Sequence, residues 1–135
     1  MTNDFFVSYE TALKLKEKGF NEPCFAYYRE LLGSKEPIFH ANKDKNKPMI
    51  NSELGENKYN MVCAPNIIQV KNWFIDNYDI NINVERDDVN ILYIKARFKN
   101  KKNQHDCISM IYTIHDIHHN LLTINMLIQE CLRRI

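Results

Sequence analysis

Ile80, Ile82 and Val84 alternate with Asn81, Asn83 and Glu85, the period of two that puts apolar side chains on one face of a strand and polar ones on the other. The next run repeats the pattern, with Leu92, Ile94, Ala96 and Phe98 against Tyr93, Lys95 and Arg97. A third sets Ile108, Met110, Tyr112 and Ile114 against Ser109, Thr113 and His115. Asp87-Asp88 supplies a turn after the first run and the stretch from Lys99 to Asp106 a loop after the second. The pattern therefore predicts three antiparallel strands, at 80–84, 90–98 and 107–114, sharing one buried face.

Elsewhere the period is that of a helix. Ser8 precedes Tyr9, Ala12 and Leu13 at helical spacing, with Glu10 in the first turn and Gly19 placed to end the helix in a Schellman cap, Phe20 packing back on Leu15. Asn66 followed by Gln69 is a capping-box pattern, with Pro65 and Val70 as its staple, and Ile67, Val70, Trp73 and Phe74 form the stripe behind it. Leu121, Ile124, Ile128, Cys131 and Ile135 make a third stripe, with Arg133 and Arg134 where the helix dipole favours positive charge. Helices are thus expected at about 8–18, 66–78 and 117–134, the last capped at Asp116 or at Thr123.

Between Arg29 and Lys58, Gly33, Pro37, Pro48 and Gly55 punctuate a polar stretch that reads mostly as loop. Short strands are expected at Cys24 to Tyr28, Ile38 to His40 and Tyr59 to Cys63. On the first, one of Tyr27 and Tyr28 should point inward and the other outward. Together these elements predict an α+β fold in two layers, an antiparallel sheet with helices packed mainly on one face, as a single domain over 1–135.

The chain has 135 residues, 44% hydrophobic and 26% charged, a composition that excludes disorder and fibrous repeats. At this length roughly two thirds of the unfolded surface is buried, enough for a core without disulfide or metal. Eighteen basic against 17 acidic residues leave a net charge of +1, so an electrostatic function has to be local. Cys24, Cys63, Cys107 and Cys131 stand far apart with no CxxC pair; they pair only through the fold, and otherwise serve as small core residues. The start lacks the basic residues of a signal peptide and no apolar run nears the ~18 residues of a membrane span, so a bacterial cytoplasm and no membrane are expected.

Catalytic patterns are broken. His115-Asp116-Ile117-His118-His119 is conspicuous, and His115 with His118 on one helical face would chelate a metal, but no third ligand is visible and no metal or other cofactor is expected. Tyr93-Ile94-Lys95 has Tyr where a restriction-type nuclease needs its metal-binding carboxylate. The scattered Gly19, Gly33 and Gly55 form neither a nucleophile elbow nor a phosphate loop. Trp73 beside Phe74 reads as a core anchor.

One local feature remains. Lys95, Arg97, Lys99, Lys101 and Lys102 carry five positive charges with no acid between them, beginning on the outward strand face and running into the loop. With Tyr93 they form a candidate binding surface, the bases holding a phosphate backbone while the ring stacks a base. The other reading is a solvated hairpin whose lysines keep an edge from aggregating.

At Phe6-Val7-Ser8-Tyr9-Glu10, from Lys14 to Tyr28, and at Ala64-Pro65-Asn66 with Gln69, Val70, Trp73 and Phe74, the chain resembles a family of short phage and prophage proteins of Bacteroidetes. The likeness extends more loosely from Thr123 onward; Thr usually stands in that family where Asn66 stands here. The chain departs from the pattern over Arg29 to Lys58 and in the basic loop. The family has no established activity, so the resemblance transfers no functional residue; it implies a small accessory protein of a virus or mobile element. The sequence thus leads to a non-enzymatic interaction protein with a protein partner or a second copy of itself. Its alternative is a small module for single-stranded nucleic acid or a nucleotide, using Tyr93 and the basic patch.

Overall fold

A computed structural model describes residues 6–30, 36–41, 47–54, 61–89, 91–99, 107–112 and 117–135, with the backbone alone at 111, 112, 117–119 and 121. The elements run α1 (Tyr9–Glu17), β1 (Ala26–Arg29), β2 (Ile38–Ala41), α2 (Asn51–Leu54), β3 (Val62–Cys63), α3 (Ile67–Tyr78), β4 (Ile80–Arg86), β5 (Leu92–Phe98), β6 (Cys107–Tyr112) and α4 (Ile117–Arg134). The fold is α+β. It has two three-stranded antiparallel sheets, ordered β2-β1-β3 and β4-β5-β6, where the alternation had specified only the second in full. The chain divides into two compact units, Met1–Gln69 and Val70–Ile135, the boundary falling inside α3.

In the first unit α1 is closed at both ends by its own sequence. Ser8 Oγ accepts from Thr11 N at 3.3 Å. At the other end Gly19 stands at φ +91°, and Phe20 N donates to Leu15 O (2.9 Å) and Gly19 N to Lys16 O (3.1 Å), the two bonds of a Schellman cap. Only a residue without a Cβ takes that φ at little cost. Val7, Ala12, Leu15, Phe20, Ala26, Tyr28 and Val62 are buried, and α1 packs on β3. Of the paired tyrosines, Tyr28 is buried with its hydroxyl donating to Val7 O at 2.7 Å. Tyr27 is half-buried and lies parallel to the His40 ring across the β1-β2 ladder, centroids 5.1 Å apart.

The stretch expected to be loop contains a buried polar junction. Asn51, opening α2, donates through Nδ2 to Phe20 O at 2.8 Å and accepts from Cys63 N at 3.0 Å, so one side chain satisfies two backbone groups that lie out of water. The capping box is closed both ways, Asn66 N to Gln69 Oε1 at 3.1 Å and Gln69 N to Asn66 Oδ1 at 2.8 Å.

In the second unit Val70, Trp73 and Phe74 are the buried positions of α3. Trp73 makes edge-on contacts with Phe74 and Tyr78, centroids 5.3 and 5.2 Å apart, as a core anchor does. Asp79, at φ 53°, turns the chain from helix to strand. Ile80, Ile82, Ile94, Ala96 and Ile108 are buried as the alternation predicts, whereas Leu92, Phe98 and Met110 are half-buried and Val84, near the hairpin turn, is exposed; α4 packs on β5 and β6. On α4 the buried set is broader than the predicted stripe: Asn120, Thr123, Asn125, Leu127 and Leu132 join Ile128 and Cys131, while Ile124 and Ile135 are half-buried. A helix laid against a sheet buries a wide arc, and the polar members are tolerated because each has an interaction partner. Residues 113–116, with His115 and Asp116, lie outside the described residues, as do the side chains of His118 and His119.

Candidate functional site

The β4-β5 hairpin is turned by Asp87, whose Oδ1 accepts from Val89 N (3.0 Å) and Ile91 N (2.8 Å), the side-chain mimicry that makes Asp a turn residue. The turn fixes a register in which Asn81, Asn83 and Glu85 stand opposite Arg97, Lys95 and Tyr93, and these in turn opposite Cys107, Ser109 and Ile111. Since residues directly opposite share a face, the eight of these whose side chains are described lie on the outward face of the sheet. Tyr93 and Lys95 are half-buried, and Arg97 and Lys99 exposed. Lys101 and Lys102 lie outside the described residues.

What the linear sequence hides is Glu85. Its Oε2 takes the Arg97 guanidinium at 2.6 Å and the Lys95 ammonium at 3.6 Å. Lys95 Nζ also stands over the Tyr93 ring, 5.7 Å from its centroid, inside cation–π range. The Arg97 hydrogen bond, with the charges of Arg97 and Lys95 adding to it, holds the Glu85 carboxyl below its ordinary value, and Glu85 raises Arg97 in return. The run of bases without an acid is therefore a feature of the sequence alone; on the sheet an acid from the neighbouring strand sits among them. Folding the hairpin about Asp87-Asp88 with outward parity kept is the step that brings Glu85 among the bases.

The face holds a carboxylate, two bases, an aromatic ring and the side chains of Asn81, Asn83 and Ser109, an arrangement able to exchange hydrogen bonds and charge with a ligand in either sense. Among the described residues no group of three or more His, Cys, Asp or Glu is placed to hold a metal ion, and no helix is long and apolar enough to cross a membrane. Comparison with protein-family models, curated proteins and solved structures finds nothing that matches the chain.

Proposed function

We propose that the protein is a non-enzymatic interaction protein, an accessory factor of a phage or prophage in the context its sequence resemblance implies. The observation that carries this reading is the balanced chemistry of the β4-β5-β6 face, where Lys95 and Arg97 are engaged by Glu85 beside Tyr93. A surface of mixed charge with Tyr and Arg at its centre suits a protein partner, because complementary potentials set orientation and an aromatic ring adds contact area at low entropic cost. A phosphate track would instead profit from bases free of competing carboxylates.

The second reading, a module for single-stranded nucleic acid or a nucleotide, draws on Tyr93, Lys95 and Arg97 sharing one face, with Lys99 exposed past the strand end. One experiment serves both. The tagged chain is purified from native cells beside Tyr93→Ala/Arg97→Glu, with and without nuclease. A stoichiometric protein lost from the variant and kept after nuclease supports the interaction reading. Nucleic acid or nucleotide in the wild-type eluate, reduced in the variant, supports the second, and eluates that do not differ overturn both assignments to this face.

A further inference from the structure

The fold of the first unit brings two distant cysteines to one carbonyl. Cys24 approaches β1 paired both ways with Met49, Cys24 N donating to Met49 O at 2.7 Å and Met49 N to Cys24 O at 2.8 Å. The thiol of Cys63, on β3, donates to the same Met49 oxygen at 3.4 Å, while the Cys24 thiol donates to Glu22 O at 3.4 Å. Both side chains are buried, both cysteines are free, and the two thiols interact with each other. They are not equivalent. The Cys63 thiol beside it, together with burial, holds the Cys24 proton far above the ordinary thiol range. The neighbouring Cys24, helped by the charge of Lys16, draws Cys63 below it. Cys131, by contrast, is buried on α4 and pushed up to about 12 by burial.

We propose that Cys24 and Cys63 are a reversible dithiol–disulfide pair, oxidised by a small hydroperoxide, with Cys63 as the attacking thiol and Cys24 as the resolving one. Cys63, as thiolate, attacks the O–O bond of hydrogen peroxide; one oxygen stays on sulfur as the sulfenic acid, and the other leaves as hydroxide and takes up the proton that Cys63 shed, forming water. Cys24 sulfur then attacks the sulfenic sulfur and releases its proton, the S–O bond breaks, and a second water departs. Two thiols and one peroxide thus become one disulfide and two waters. Because both sulfurs are buried, the rate is governed by opening of the bridge between Cys24 and Met49. Once formed, the bond ties β3 to the start of β1.

The test uses the full chain, reduced, freed of reductant and treated with hydrogen peroxide in native buffer, then alkylated in denaturant. Intact mass and a non-reducing peptide map are read for wild type and for Cys107→Ser/Cys131→Ser. Both proteins should lose two alkylatable thiols, give one peptide joining Cys24 to Cys63, and recover both thiols with dithiothreitol. In Cys24→Ser a dimedone-trapped sulfenic acid should build up at Cys63, whereas in Cys63→Ser no adduct should form at Cys24. Four free thiols after native treatment, a link to Cys107, Cys131 or a second chain, a pair that forms only in denaturant, or the reverse order of trapping would each overturn the proposal. The wild-type map decides the pairing even if a serine variant does not fold.

Discussion

Asn51 shows what a single residue holds and why a sequence conceals it. Its amide joins Phe20 O to Cys63 N, and those partners lie on either side of it, far along the chain, so no local pattern marks this Asn within a polar stretch. Asn51→Ala should cost about 2–6 kcal/mol in a denaturant titration, because two buried backbone groups lose their partner at roughly 1–3 kcal/mol each. Gly19, in contrast, is legible, since the cap it makes is written within six residues. Nothing lies within 4 Å of where a Cβ would stand at Gly19, so Gly19→Ala meets only the backbone penalty and should destabilise by about 1–2 kcal/mol in the same assay. Glu130 gives a prediction in pH. Its bonds to Arg133 and Arg134 set its carboxyl at about 2, below the ordinary value of about 4.3. A carboxyl lowered on folding contributes stability above its unfolded value and loses that contribution as pH falls through the folded one. Carbon NMR should show Glu130 titrating near the lower value. Raised salt or Arg133→Gln should move it upward, since an exposed pair is screened.

At the scale of elements, the strand parities of β4, β5 and β6 are legible because Ile80, Ile82, Ile94, Ala96 and Ile108 share a dry face, and a one-residue slip would turn them all to water. The last helix is less legible. A stripe at alternating steps of three and four picks out Ile128 and Cys131 but not Leu127 and Leu132, and the pattern cannot tell which of several leucines meets the sheet. The structure separates them: Leu127 is fully buried and Leu122 is 61% exposed. Leu127→Ala should therefore cost about 2–5 kcal/mol, whereas Leu122→Ala should fall within about 0.5 kcal/mol of wild type. Trp73, 5% exposed between Phe74 and Tyr78, belongs with Leu127. Trp73→Ala should cost roughly 3–5 kcal/mol in thermal or denaturant melts followed by circular dichroism; near-normal stability would remove it from the core.

Across the whole molecule the charges nearly cancel, so whether the β4-β5-β6 face meets a protein or a nucleic acid turns on how its own charges are spent. The sequence supplied Tyr93, Lys95 and Arg97 because parity put them together; it did not supply Glu85, whose partners are reached only through the hairpin register. That residue makes the two readings separable. If the face binds single strands, Glu85 competes with phosphate for Lys95 and Arg97, and Glu85→Gln should bind an oligonucleotide more tightly than wild type. The two released bases should also steepen the log–log dependence of affinity on salt by about 1.4, at about 0.7 for each phosphate neutralised on a single strand. If the face is a protein interface, the same substitution removes half of a complementary charge pattern and adds no nucleic-acid affinity at physiological salt. We expect the second outcome. Fluorescence titration of a single-stranded oligonucleotide at several ionic strengths, with wild type beside Glu85→Gln, measures it, and a tighter, steeper isotherm for the variant would transfer the assignment to nucleic acid.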